Sequence, residues 1–180
     1  MERLRLATIW LGGCSGCHMS FLDLDEFLLE LAERVDIVYT PLIDVKEYPE
    51  GVDVVLVEGA IASDEHLEMI HKVRGRTKML IAFGDCAVTG NVTMLRNPAG
   101  GSGPILRRAY LEGGDLDPQI PSAPGVLPVL TDPVVPVHSV VKVDFHMTGC
   151  PPPAPRIRAV LEQLLNGEGP HLEGREIKFG

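Results

Sequence analysis

Apolar positions in this chain fall into short runs separated by glycine, proline and charged residues. Residues 4–11 are mostly apolar and alternate poorly, which predicts a strand buried on both faces, as in a parallel sheet. Phe21, Leu24, Leu28 and Leu31 fall near helical spacing. They predict a helix over 21–33, capped by Ser20, with Asp23, Asp25 and Glu26 in its first turns. A short second strand follows over 35–39 and stops before Pro41. Residues 52–57 read as a third strand ending at Glu58-Gly59, and Ser63 is placed to cap a helix over 64–73. A fourth strand over 78–83 ends at Gly84-Asp85-Cys86, and a short helix is expected near 105–110. Twelve of the 15 prolines lie between residues 97 and 155, so 97–139 reads as an irregular, proline-rich insertion. Residues 140–147 predict a fifth strand that ends at Thr148-Gly149-Cys150-Pro151. Ile157, Val160, Leu161 and Leu164 share one face of a helix over 154–165, which Gly167 ends. Residues 170–180 show no periodicity and read as a C-terminal surface extension beyond a domain of residues 1–169.

Strands alternating with helices predict an α/β fold: a doubly wound parallel sheet in three α/β/α layers, with the flavodoxin-like strand order 2-1-3-4-5. In such sheets ligands sit beyond the carboxyl ends of the strands. Cys14 and Cys17 follow the first predicted strand, Glu58 ends the third, Cys86 follows the fourth and Cys150 the fifth. In the expected order these four strands are neighbours, so all four cysteines of the chain should converge on one edge.

With 45% hydrophobic residues in 180, the chain can bury a full core, which disfavours disorder, a coiled coil or a disulfide-stapled mini-fold. A net charge of −9 argues against a nucleic-acid partner. No run reaches the roughly 18 apolar residues of a membrane helix. Arg3 and Arg5 precede an apolar run, as in a leader, but that run ends in Gly-Gly-Cys and reads better as the first strand. There is no twin-arginine pair. These features predict a cytoplasmic protein whose thiols serve metal or redox chemistry rather than disulfides.

Four converging thiolates suit one 4Fe–4S cluster, one thiolate per iron. Gly12, Gly13 and Gly16, with Gly84 and Gly149, would allow backbone to approach it closely. Three alternatives stay open on the residues alone. A structural zinc site would normally use two C-x-x-C knuckles, and only one is present. A thioredoxin-like dithiol at Cys14 and Cys17 leaves Cys86 and Cys150 without a role. Four unrelated buried cysteines is the third.

The stretches Gly13-Cys14-Ser15-Gly16-Cys17-His18, Val57-Glu58-Gly59-Ala60, Gly84-Asp85-Cys86-Ala87 and Gly149-Cys150-Pro151-Pro152 resemble, in order, the signatures of the small subunit of nickel–iron hydrogenases. The resemblance spans about residues 4–165, and its shortness and single cysteine set look most like the soluble, bidirectional, NAD-reducing type. It implies that Cys14, Cys17, Cys86 and Cys150 bind one proximal 4Fe–4S cluster. It further implies a Ni–Fe centre in a partner large subunit, and FMN and NAD in partner diaphorase subunits. The function implied is relay of single electrons in an oxidoreductase that couples dihydrogen to NAD. The cluster-bearing small subunit of respiratory complex I is similar too, but typically has adjacent cysteines where this chain has Cys14-Ser15-Gly16-Cys17. No G-x-G-x-x-G is present, so NAD is expected elsewhere. The fold raises the question of a flavin on this chain, but the cysteine turn occupies the place of a phosphate loop. Glu58 is the candidate for a polar or proton-path role, with helix capping or an interface contact as the plainer account. Asp85 stands beside Cys86, His18 reads as a helix-start residue, and His138 and His146 read as structural or interfacial.

Overall fold

The computed structural model describes residues 3–174, 176 and 177. Its centre is a sheet of five parallel strands: β1 (Leu4–Trp10), β2 (Val35–Tyr39), β3 (Val52–Glu58), β5 (Thr77–Phe83) and β7 (Phe145–Met147), in the order β2-β1-β3-β5-β7. This is the doubly wound order expected from the sequence. Between them run α1 (Gly16–Leu22), α2 (Phe27–Arg34) and α3 (Asp64–Arg76), and α7 (Ala154–Leu165) follows β7.

Neighbouring residues on a strand point to opposite faces, and here both faces are covered. Leu6, Leu56, Ile81 and Phe83 pack with Phe21, Phe27, Leu31, Ile157 and Leu161 in one core layer. Ala7, Val55, Leu80 and Ala82 pack with Ile70, Val73 and Val137 in the other. Burial on both sides is why these strands read as unbroken apolar runs.

The expected helix over 21–33 is two helices. α1 begins earlier, at Gly16, and Ser20 lies inside it, donating to the Pro152 carbonyl at 2.6 Å instead of capping. The break falls at Asp23 to Glu26, where Asp25 has φ 50°. Short aspartates compete with helical hydrogen bonds and tolerate left-handed backbone, so the acids read as a first turn in fact end one helix. Ser63 does cap α3, its hydroxyl accepting the His66 N–H at 3.3 Å.

The expected strand over 140–147 shrinks to β7. A 3-10 turn occupies Val137–Ser139, Val141 packs into the core from irregular chain, and Asp144 accepts the Leu80 N–H at 2.9 Å where pairing begins. Within 97–139, helix α6 (Ser102–Arg107) continues into a π-helical turn over Arg108–Glu112, and 113–129 carries no helix or strand. β6 (Leu130–Val135) then pairs antiparallel with β4 (Ile61–Ser63), an element the sequence did not suggest. Two further short helices, α4 (Asp85–Thr89) and α5 (Asn91–Met94), follow β5. After α7, the Gln163 side chain holds His171 by both its backbone N–H, at 2.8 Å, and its carbonyl, at 3.0 Å, and Leu172 is buried. Part of the expected extension thus packs back on α7. Residues 175 and 178–180 of it, and Met1 and Glu2 of the leader considered above, lie outside the described residues.

Candidate metal centre

Trp10, Glu58, Phe83 and Met147 stand in register across β1, β3, β5 and β7, forming one row at the carboxyl edge of the sheet. Every cysteine lies just beyond this row. Past Trp10, the Leu11 N–H donates to the Glu58 carbonyl at 2.8 Å, and Gly12 and Ala60 exchange backbone hydrogen bonds at 2.9 and 2.8 Å. A side chain on Gly12 would sit 2.9 Å from the Ala60 carbonyl oxygen, so only glycine allows this pairing. The cysteine turn therefore leaves the sheet pinned to the end of β3, and Ser15, at φ 65°, starts α1.

The turn meets the one after β5 directly. A Cβ built on Gly84, where φ is 83°, would lie 2.1 Å from Cys17 Sγ. The Cys17 thiol therefore rests on the Gly84 backbone. Gly84 N–H donates to the Met147 carbonyl at 2.8 Å, Asp85 N–H to the Gly149 carbonyl at 2.9 Å, and Gly149 N–H to Asp85 Oδ1 at 2.7 Å. Asp85 thus clasps the loop that carries Cys150. Arg156, buried at the start of α7, donates to the Thr148 carbonyl at 2.5 Å on the same loop.

Burial pushes the Cys17 thiol well above its ordinary pKa, and negative charge on Glu58, Cys86, Cys14 and Cys150 pushes it further. Burial also raises Cys86, with Cys14 and Cys150 adding to it, while the Thr93 hydroxyl and the Val92 N–H pull it back. Cys17 and Cys86 thus resist ionisation here, and a bound cation that takes the charge would let them act as thiolate ligands. All four are free of disulfides, Cys17 and Cys86 buried and Cys14 and Cys150 exposed. Among the described residues, no three His, Cys, Asp or Glu side chains close on the single point one ion would occupy. Gly84, where a side chain would collide with Cys17 Sγ, and Gly16, where one would lie 3.3 Å from Cys14 Sγ, keep the backbone close to two of the sulfurs.

Glu58 is 1% exposed and caps α1 from the end of β3: it accepts the N–H of His18 at 3.0 Å and of Cys17 at 3.4 Å. Its Oε2 also pairs with His18 Nδ1, while His18 Nε2 lies 2.9 Å from Thr8 Oγ1, whose hydroxyl donates to Thr40 at 2.8 Å. His18 is thus a buried partner of Glu58 rather than an ordinary helix-start residue. Nothing in the sequence announced this pairing across forty positions. Asn91, whose Nδ2 lies 3.3 Å from Cys150 Sγ, was not announced either, though a glycine-asparagine step just after Cys86 is a usable signal. The His138 and His146 rings pack edge to face against each other, with centroids 5.8 Å apart. Among the described residues, no helix is long and apolar enough to cross a membrane.

The family described as NADH ubiquinone oxidoreductase, 20 Kd subunit, matches residues 14–164. A vhu subunit of the F420-non-reducing hydrogenase of Methanocaldococcus jannaschii is 40% identical over 171 residues, covering 94% of this chain; the chain spans only 58% of that relative. The NAD-reducing hydrogenase HoxS subunit delta of Cupriavidus necator is 39% identical over 171 residues, covering 92% of this chain and 80% of the relative. A solved NAD+-reducing [NiFe]-hydrogenase in the H2-reduced state superposes with a TM-score of 0.93 at 35% identity, over 99% of this chain and 100% of that chain. A [NiFeSe]-hydrogenase of Dm. baculatum, at 14% identity and a TM-score of 0.60, shares the fold. The family name is that of the respiratory relative, whereas these relatives and structures are hydrogenases, as the C-x-x-C spacing had favoured. The chain belongs to the NADH ubiquinone oxidoreductase 20 Kd subunit family, among its hydrogenase small subunits.

Proposed function

We propose that this chain is the electron-relay small subunit of a cytoplasmic, NAD-reducing [NiFe] hydrogenase. Cys14, Cys17, Cys86 and Cys150 would hold one 4Fe–4S cluster. The observation that carries this reading is the meeting of three cysteine-bearing strand ends, those of β1, β5 and β7, at one edge, with Cys17 seated on Gly84. Bound there, the cluster accepts and passes on one electron at a time. The chain's own part is to hold and orient it: Cys17 and Cys86 from the dry interior, Glu58 by fixing the first turn of α1, and Asp85 by fixing the Cys150 loop. Glu58 and His18 form a buried polar pair beside the thiols and are the residues through which a proton path at this edge would run. Four cysteines leave none for a second cluster. The Ni–Fe centre belongs to a large subunit, and FMN and NAD to diaphorase subunits.

Cys14 and Cys150 are exposed, and half-exposed Trp10, with Met19 and Val92, stands on elements beside them. This apolar edge is where the large subunit docks. The family's name supports a second reading, a cluster-bearing subunit of a complex I-like enzyme, which shares the site but not the nickel partner.

Anaerobic purification with whatever accompanies the chain, followed by iron, sulfide, zinc and nickel analysis, tests the reading. About four irons and four sulfides per chain are expected, with nickel present only with a larger partner. Cys14→Ser should lose iron and abolish hydrogen-dependent NAD reduction. One zinc without sulfide, or near wild-type activity in that variant, overturns the assignment. A cluster without nickel or hydrogen uptake transfers the chain to the complex I-like reading.

A further inference from the structure

The corner between α4 and α5 aims a hydrogen-bond donor at one of the four thiols. α4 ends at Gly90, with φ 85°, and Asn91 follows with φ 33°, a left-handed conformation for a residue with a side chain. Asparagine tolerates that region better than most residues. The turn brings Asn91 Nδ2 to 3.3 Å from Cys150 Sγ. Two residues on, the Thr93 hydroxyl donates to the Gly12 carbonyl at 2.8 Å. One short corner therefore contacts Cys150 and also ties down the Cys14 turn.

We propose that this corner is a tuning element: Asn91, acting on Cys150 Sγ, raises the reduction potential of the centre held by the four cysteines. The proposal rests on the relay reading above. One-electron reduction places additional negative charge partly on the ligand sulfurs, and N–H donors stabilise that charge more in the reduced form than in the oxidised form. No protein bond forms or breaks, and the electron comes from the reductant. Asn91 is a positioning and electrostatic residue in this scheme, not a ligand.

Two variants test it. Asn91→Gly removes the donor at a backbone angle glycine adopts freely, and Asn91→Asp keeps the shape but replaces the donor with a carboxylate. The protein is purified anaerobically with its accompanying subunits and titrated with dithionite at set potentials. Electron paramagnetic resonance then follows the signal that Cys86→Ser abolishes. At a fixed potential the reduced-to-oxidised ratio should fall about tenfold in Asn91→Gly, equivalent to about 59 mV for a one-electron couple, and further in Asn91→Asp. Iron and sulfide per chain should stay at the wild-type level. If one variant fails to load, the other decides. A ratio within twofold of wild type, or a raised one, overturns the tuning role and leaves the relay reading standing. A wild-type protein without a cluster overturns both.

Discussion

Gly84 illustrates how narrowly a single position is constrained here. Its φ of 83° already disfavours any side chain, and the space a methyl group would take is filled by the sulfur of Cys17. In Gly84→Ala the thiol must turn away or the backbone must shift. The variant is expected to fold with a lowered melting temperature and to retain less than half the wild-type iron, measured by metal analysis after gel filtration. Full iron content would show that the thiol has another place to go. The cysteines themselves were legible in the sequence because a scarce residue type, set beside glycines at strand ends, carries chemistry openly. Glu58 and His18 were legible only as isolated polar residues. Their pairing is decided by which strand lies beside β1, and no local pattern records that.

At the scale of elements, the helices differ in what they bury. Ile157 of α7 is fully buried against the sheet, whereas Leu29 of α2 is 72% exposed. Ile157→Ala should cost about 2–5 kcal/mol and Leu29→Ala should stay within about 0.5 kcal/mol, both read by denaturant unfolding of the assembled protein. Equal effects would contradict the packing described. Strands β1, β3 and β5 and helix α7 were legible because continuous apolar runs and a 3.6-residue stripe are direct marks of burial, and α3 because Ser63 announces its cap. The break between α1 and α2 was not, since a short aspartate favours a helix start and also tolerates the left-handed backbone that ends a helix. The length of β7 was not either: Val140 and Val141 have strand propensity, yet only Phe145–Met147 finds a partner strand.

The opposite edge of the sheet is stitched by Asp53, whose carboxylate accepts the Arg5 N–H at 2.8 Å and pairs with Lys78 at 2.7 Å, joining β1, β3 and β5. Burial alone would raise this carboxyl, but the Lys78 and Arg5 contacts outweigh it and hold its pKa below the ordinary value. The unfolded chain therefore takes up the proton first. The stabilisation is complete above the unfolded value of about 3.9 and is lost as pH falls through the lower folded one. Since Lys78 is largely exposed, the effect should be below about 1 kcal/mol. Stability curves between pH 5 and 2, pH values set by the experimenter, should converge for wild type and Asp53→Asn at the acid end. A constant gap at all pH values would contradict the linkage.

For the whole molecule, the surface is as informative as the core. Leu95, Leu116 and Val126 are 67%, 91% and 75% exposed, and all lie in the segment between α5 and β6. On the relay reading this surface and the cysteine edge are covered by partner subunits, with more than about 2,000 Å² buried. Made alone, the chain is expected to aggregate or run as mixed oligomers on gel filtration, and co-expression with the large subunit should give one defined complex. A monodisperse, thermally stable monomer would contradict an obligate interface.

The spread of the cysteines from position 14 to position 150 also fixes an order of events. Cys150 follows β7, which comes last in sequence among the strands of the main sheet, so the four thiols come together only once that strand has joined. On the relay reading, loading the centre certifies a chain closed around its sheet. Two of the thiols remain open to solvent in the folded chain, so delivery of iron and sulfide must precede docking of the partner over that edge. Maturation then runs one way, from folding to loading to assembly, and a subunit that reaches its partner empty is one that skipped a step it cannot later repeat.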